Sequence, residues 1–497
     1  MGRAGVPIIS VTHGGDQRHN DGGRQAMARG ARWAVGTTAV LLVLGAGGYA
    51  VADAYDVAPG RLTLASPPPT PAPFPTADVA PAPDVAAVLG ELDPQAPLPS
   101  GEAVAALAAT AVADPRLGSS TTVVVTDVLT GQVIADVGGR QPQEPASTTK
   151  ILTAAAATEV LGPDATLTTS VVQAAPGTIV LVGGGDMMLA AGAGDPAAVN
   201  GRAGLADLAA QVAQALTAAG VTQVTLGLDD TLFTGPSWNP GWAPDHNRYV
   251  APISALAIDI GHTSDHPYSV RQPDPALEAA RQLARALGER GVAVVGDPVR
   301  MTAPEGATRL GAVESASMRE IVRLTVQESE NTIAEVLGRL VAIATGEAAS
   351  FEGATRAVVG TVAGLGLDTT GTVIADCSGL AAGSRIPADL LVDVLVLAGS
   401  PAHPELLPVV DDLAVGGWTG TLLDRFGQGP ARGLVRAKTG SLPGVTSLAG
   451  TVLTQGGRLL AFAVMADATG AVGQDRPRAA IDELVTRLAA VPPAAAG

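Results

Sequence analysis

Apolar positions recur along this chain in two rhythms, one of period two and one near 3.6, and the switches between them outline the elements. β-Branched runs at 121–126 and 133–137, joined at Thr130-Gly131-Gln132, predict a hairpin. Runs at 433–439, 447–454 and 458–466 predict an antiparallel meander, its last connection the tight Gln455-Gly456-Gly457. Hairpin and meander are expected to share one five-stranded antiparallel sheet. Helical periodicity at 102–113 and 478–490 supplies helices to cover it, which makes the fold class α+β. Further helices are expected at 318–326, 333–344 and 390–397, with Glu328-Ser329-Glu330-Asn331 at the break between the first two. Asn331 suits the N-cap of the second.

Residues 162–307 read as a separate, inserted block. A strand at 179–182 ends in Gly183-Gly184-Gly185-Asp186, and an amphipathic helix follows at 205–219. Strands at 221–228 and 292–295 flank a helix at 275–291. No Gly-Lys-Ser/Thr follows the triple glycine, so it predicts a tight turn and not a phosphate loop. Trp238, Trp242, His246 and Tyr249 gather in one loop. They are expected to pack at a domain junction; a substrate-facing wall is the alternative.

Ahead of these elements, Trp33 to Ala52 is 20 residues without a charge, the length of a membrane span. Arg24, Arg29 and Arg32 precede it and Asp53 and Asp56 follow, so the positive-inside rule places the chemistry outside the cytoplasmic membrane. Residues 1–32 lack periodicity and predict a disordered cytoplasmic tail. The expectation is a single-pass membrane anchor at 33–52; Ala50-Val51-Ala52 leaves secretion after cleavage near Ala52 as the alternative. Prolines every few positions from Pro67 to Pro83 make 53–100 an extended linker, with a short helix near 85–92.

Charge and composition narrow the chemistry. A net charge of −17 with no basic stripe excludes a nucleic-acid partner. Cys377 is the single cysteine, so no intramolecular disulfide forms. The six histidines never approach metal-ligand spacing, and neither metal nor cofactor is expected. Of the 30 basic residues only Lys150 and Lys438 are lysine. Arginine cannot give up its proton in a protein, whereas a buried lysine can. These two positions are therefore where arginine would fail.

Lys150 closes the stretch Pro145-Ala146-Ser147-Thr148-Thr149-Lys150, ahead of the apolar run 151–161. Pro145 and Ser147 predict a helix beginning at or just after the serine. Ser147 and Lys150 then share a face, with Cβ atoms about 5–6 Å apart. They form a nucleophile and a potential base at a helix end that opposes the ammonium and favours negative charge on the serine. A capped helix with its lysine in water is the alternative.

In chain order, Ser147-x-x-Lys150, Ser329-x-Asn331 and Lys438-Thr439-Gly440 resemble the signature of the penicillin-recognising serine acyl-transferases. The resemblance covers the chain from about residue 101. The 182-residue separation of Ser147 from Ser329 resembles the D-alanyl-D-alanine carboxypeptidase/endopeptidase family, the class C low-molecular-mass penicillin-binding proteins. Leu181-Val182-Gly183-Gly184-Gly185-Asp186, Asp230-Thr231-Leu232-Phe233, Ala251-Pro252-Ile253-Ser254-Ala255-Leu256, Asp376-Cys377-Ser378-Gly379-Leu380 and Gly420-Thr421-Leu422 resemble that family too. Glu330 stands where Asp is usual, and Met187 where Pro is common.

The resemblance implies a DD-peptidase/β-lactamase-like catalytic domain at 101–161 and 308–497, interrupted by a domain at 162–307. It implies that Ser147 forms an acyl-enzyme and that Lys150, kept neutral by burial and by the Lys438 charge, takes its proton. Ser329 would relay that proton, and Asn331 would bind the substrate backbone. Lys438 and Thr439 would receive its terminal carboxylate, and Gly440 would let the strand come close. The backbone N–H groups of Ser147 and Ser441 would form the oxyanion hole. The implied substrates are peptidoglycan stem peptides ending in D-Ala-D-Ala, with β-lactams as covalent inhibitors and endopeptidase activity left open. A β-lactamase-like hydrolase and an inactive peptidoglycan-binding protein are the competing readings.

Overall fold

The computed structural model describes residues 46–47, 49–53, 55, 57, 93–266, 268–470 and 473–494. The chain divides into Met1–Leu89 and Gly90–Gly497. In the first unit residues 46–47 and 49–53 are helical. No helix among the described residues is long and apolar enough to cross a membrane. Most of the expected anchor at 33–52, the tail 1–32 and the expected helix at 85–92 lie outside the described residues.

The second unit opens with α1 (Gly101–Val112), where the Ser100 hydroxyl accepts from the Ala103 amide, and continues into the hairpin β1 (Thr121–Asp127) and β2 (Val133–Val137). After α2 (Lys150–Leu161) the inserted segment begins: β3 (Thr168–Ala175), β4 (Thr178–Val182), β5 (Asp186–Leu189), α3 (Leu205–Ala218), β6 (Gln223–Asp229) and β7 (Leu256–Ile258). It ends with α4 (Pro275–Gly288), β8 (Ala293–Val294), β9 (Val299–Arg300) and β10 (Thr308–Glu314). Four helices follow: α5 (Met318–Glu328), α6 (Asn331–Thr345), α7 (Phe351–Gly364) and α8 (Ala388–Ala398). The chain closes with β11 (Ala414–Val415), β12 (Val435–Leu442), β13 (Val445–Leu453), β14 (Leu459–Ala466) and α9 (Asp475–Ala489).

Hairpin and meander do share a sheet, but it has six strands, in the order β11-β12-β13-β14-β1-β2. The sixth is β11, two residues paired with Arg436 and Ala437 and too short to leave a periodic signal. Alternation sets the two faces. Phe462, Val464, Val123 and Val125 join the core under α1 and α9, whereas Ala461, Ala463, Met465 and Val124 join the core that contains α2 and α5–α8. A one-residue slip would exchange these sets, so burial on both faces holds the register.

The insert builds a mixed sheet, β10-β3-β4-β6-β8, with its own apolar core. β10 pairs with β3 from Thr308↔Gln173 to Glu314↔Thr168, and Leu310 and Val313 pack on that core. The inserted sheet therefore runs to Glu314, past the boundary expected at 307. β10 is a partly exposed edge strand without strict alternation, which is why its sequence carries little signal.

One buried ion pair ties the six-stranded sheet to the chain that leads into it. Arg458 Nε and Nη2 donate to Asp127 Oδ1 and Oδ2, each at 2.6 Å, and Nη1 reaches the Pro94 and Ala96 carbonyls. Burial alone would raise the Asp127 carboxyl, but Arg458 and Thr130 outweigh it and hold the group below its ordinary value. Removing one partner strands a buried charge. Arg458→Ala is expected to cost about 3–5 kcal/mol in denaturant unfolding, and the stability that Asp127 contributes is expected to fade as pH drops below about 4.

Candidate active site

Ser147 does not start an α-helix. It sits in a 3₁₀ turn, Ala146–Thr149, that runs into α2 at Lys150. The Thr148 and Thr149 hydroxyls donate back to the Pro145 and Ala146 carbonyls, at 2.7 and 2.8 Å. Such local bonds compete with the α-helical ladder. Ala146 holds φ at +49°, a strained value for a residue with a side chain. A 3₁₀ turn eclipses positions i and i+3. That brings Lys150 Nζ to 3.1 Å from Ser147 Oγ.

The turn is gripped from two sides. Ser447 Oγ on β13 donates to the Pro145 carbonyl at 2.6 Å. A Cβ at Gly440 would overlap Ser447 Oγ and that same carbonyl oxygen, so only glycine lets β12 lie this close. A Cβ at Gly379 would overlap the Ala146 carbonyl, and this glycine also holds φ at +74°.

Lys150 is fully buried. Besides Ser147, its Nζ meets Asn331 Oδ1 and the Ser378 carbonyl oxygen, both at 2.7 Å. The Asn331 amide orientation follows from its other end, where Nδ2 donates 2.9 Å to the Tyr249 carbonyl. Both acceptors lack a proton to give. A neutral amine has two N–H groups and one lone pair, so these two oxygens use both N–H groups and leave the lone pair facing Ser147. Burial pushes Lys150 down to about 8, against the opposing charges of Asp376, Glu330 and Glu335.

Lys438, on β12, is also fully buried, and burial plus the nearby Lys150 charge drives it well below its ordinary value. The repulsion expected to neutralise Lys150 thus falls on Lys438 instead, because Lys150 has three carboxylates to oppose the shift. Lys438 Nζ donates to the Thr439 carbonyl at 3.0 Å, and Thr439 Oγ1 donates to Thr421 Oγ1 at 3.1 Å. β11 covers β12 only at Arg436 and Ala437, so among the described residues no strand pairs with that edge from Lys438 through Ser441.

Ser329 ends α5 in a left-handed conformation, φ +59°, and is half-buried. The 420–422 turn joins this helix end to β12: a Cβ at Gly420 would overlap the Gln327 carbonyl, while Thr421 meets Thr439. The N-cap of α6 is Glu330, accepting from the Thr332 amide at 2.8 Å, and not Asn331. The Asn331 side chain is thereby free to reach Lys150. The aromatic loop divides: Trp242 is buried and packs edge-on against Trp238 and Phe351, whereas Tyr249 is exposed beside Asn331. The Ser378 and Tyr249 carbonyls, Thr421, Glu335 and Asp376 had no assigned role in the sequence reading. Among the described residues no His/Cys/Asp/Glu group is arranged to hold a metal ion.

A serine in a 3₁₀ turn with a lysine at the start of the helix that follows, an Asn from an interhelical break and a lysine-bearing strand of a mixed α/β fold define a penicillin-recognising serine acyl-transferase. Penicillin-binding protein 4 of Haemophilus influenzae shares the fold, with a TM-score of 0.64 at 21% identity over 77% of this chain and 98% of that one. Carboxypeptidase DacB of Mycolicibacterium smegmatis is 38% identical over 407 residues, 80% of this chain and 86% of the relative. A carboxypeptidase of Mycobacterium tuberculosis is 38% identical over 438 residues, 85% of this chain and 89% of the relative. Residues 103–267 and 261–491 match the D-Ala-D-Ala carboxypeptidase 3 (S13) family. The chain belongs to that family and is a serine-type D-Ala-D-Ala carboxypeptidase.

If Lys150 takes the serine proton, charge at its position is not enough. Lys150→Arg is expected to slow acylation by a fluorescent penicillin about 10²–10⁴-fold, read by stopped flow. Acylation near the wild-type rate would remove Lys150 as the base.

Proposed function

We propose that Ser147 is the nucleophile and Lys150 its base in a carboxypeptidase that removes the terminal D-Ala of peptidoglycan stem peptides. The observation that carries this reading is Lys150 Nζ 3.1 Å from Ser147 Oγ with the Asn331 and Ser378 oxygens both at 2.7 Å, an arrangement that in the neutral amine turns the lone pair toward Oγ. Lys150 takes the hydroxyl proton as Oγ bonds to the carbonyl carbon between the two D-alanines. The backbone N–H groups of Ser147 and Ser441 stabilise the resulting oxyanion, each donor worth about 3–4 kcal/mol. The proton passes through Ser329 Oγ to the departing amine, the C–N bond breaks, and D-Ala leaves an ester on Ser147. Water then hydrolyses that ester.

Substrate recognition follows from the open edge of β12. An extended peptide can add to it as a strand, with Asn331 holding the opposite side. The terminal carboxylate meets Lys438 and Thr439. Lys438, disfavoured as a cation in the empty site, regains its proton when a carboxylate arrives beside it. That favours free D-Ala ends, so carboxypeptidase action is assigned ahead of cross-link cleavage. The β-lactam complex of the H. influenzae protein, whose fold matches with a TM-score of 0.58, supports β-lactams as acylating inhibitors here. Residues 33–52 are assigned as a single-pass anchor that holds the catalytic unit outside the membrane, on the strength of the uncharged run and its flanking arginines.

Fluorescent penicillin is expected to label the protein covalently at Ser147, located by peptide mass spectrometry, and to leave Ser147→Ala unlabelled. Purified muropeptides are expected to lose one D-Ala. Adduct turnover within seconds would instead make this a β-lactamase, and absent labelling of a folded wild type would leave an inactive wall-binding protein.

A further inference from the structure

Two buried carboxylates stand behind Lys150 and outside the reaction as described. Glu335 lies one helical turn after Asn331 on α6, and Asp376 begins the loop that supplies the Ser378 carbonyl; both are fully buried. Glu335 Oε1 accepts from the Ser378 amide at 2.8 Å and Oε2 from the Cys377 amide at 3.2 Å. Asp376 Oδ1 accepts from the Gly379 amide at 2.6 Å, and Oδ2 accepts from the Ala381 amide and Trp242 Nε1, both at 2.7 Å. The Gly379 N–H and the Ser378 C=O belong to one planar peptide unit and point in opposite directions. Holding that N–H therefore aims the carbonyl oxygen at Lys150 Nζ.

Glycine lets the loop come this close at both ends. A Cβ at Gly338, three residues after Glu335, would overlap Cys377 Sγ, and one at Gly379 would overlap the Ala146 carbonyl. The loop is thus clamped between α6 and the nucleophile turn. Trp242 comes from the inserted segment, so this chain of bonds runs from the insert to the base.

We infer that Asp376 and Glu335 are positioning residues for the base: they orient the Ser378 carbonyl that takes one Lys150 N–H. Neither is a catalytic residue, since neither touches Ser147 or the cleft. Both charges favour the Lys150 ammonium, Asp376 the more strongly, and burial opposes them. Burial and the Asp376 charge push Glu335 itself up to about 8, against its two amide donors and Lys150. The sign of any neutralisation is then fixed. Removing a negative charge lowers the Lys150 pKa, so the neutral amine persists to lower pH.

The experiment is the pH profile of acylation by a fluorescent penicillin, with KM for a D-Ala-D-Ala peptide measured alongside. Asp376→Asn and Glu335→Gln keep shape but offer one acceptor oxygen in place of two. Each is expected to slow acylation about 10–100-fold through misplacement of the carbonyl and to leave KM within about twofold. Asp376→Asn is also expected to move the acid limb to lower pH, whereas Glu335, raised to about 8, is mostly protonated over that limb, so Glu335→Gln moves it less. Glu335→Asp keeps the charge but falls one methylene short of the two amides. Its acylation is expected to slow with the acid limb in place, and it carries the test if the neutral variants do not fold. Full acylation rates in the variants would overturn the inference. So would slower acylation in Asp376→Asn with an unmoved acid limb, which is what a purely structural role gives.

Discussion

An amine held in a dry cleft is costly as a cation, and the rest of this site follows from that cost. Transfer of an ammonium from water into a protein interior carries a penalty of several kcal/mol after relaxation. That cost lowers Lys150 from 10.5 to about 8. Three buried or half-buried carboxylates keep the shift from going further, which leaves the group poised close to neutral pH, where a general base is most effective. Lys438, with the Lys150 charge added to burial and Glu328 opposing them, is driven well below its ordinary value. Two amines with different carboxylate surroundings can thus take two jobs, one accepting a proton and one binding a carboxylate.

Most of the fold serves to bring four separate chain segments within reach of that amine. The catalytic sheet is buried on both faces, which fixes its register and with it the placement of Lys438, Thr439 and Gly440 on β12. Close approaches at Gly440, Gly379 and Gly338 let β12, the 376–381 loop and α6 converge on the Ser147 turn. The insert contributes to the same point through the Tyr249 carbonyl on Asn331 and the Trp242 indole on Asp376. It is joined to the catalytic centre by hydrogen bonds as well as by packing.

Much of the sheet and the reactive side chains was legible in the sequence, for particular reasons. Strands β1 and β2 are β-branched runs, and β12, β13 and β14 follow one another with tight turns between them. Ser147, Lys150 and Lys438 stand out because an arginine-rich chain keeps lysine only at two positions. What was hidden has physical causes. β11 is two residues long, β10 is a partly exposed edge without alternation, and α7 was not anticipated. The Ser378 oxygen is main chain, and any residue carries one. Glu335 on an amphipathic helix reads as a solvated charge until tertiary contacts bury it. The 3₁₀ geometry at Ser147 depends on threonine hydroxyls turning back onto their own backbone, which a good helix-starting pattern conceals.

Because the chain has two lysines, the protonation of Lys150, the proposed base, can be read directly. Lysine labelled with ¹³C at Cε gives one signal from Lys150 and one from Lys438, assigned with the Lys150→Arg variant and followed from about pH 6 to 11. The account predicts that Lys150 loses its proton near pH 8 and that Lys438 in the free enzyme also titrates well below 10.5. Two lysines that both titrate near 10.5 would contradict it, because Ser147 would then have no neutral amine to receive its proton.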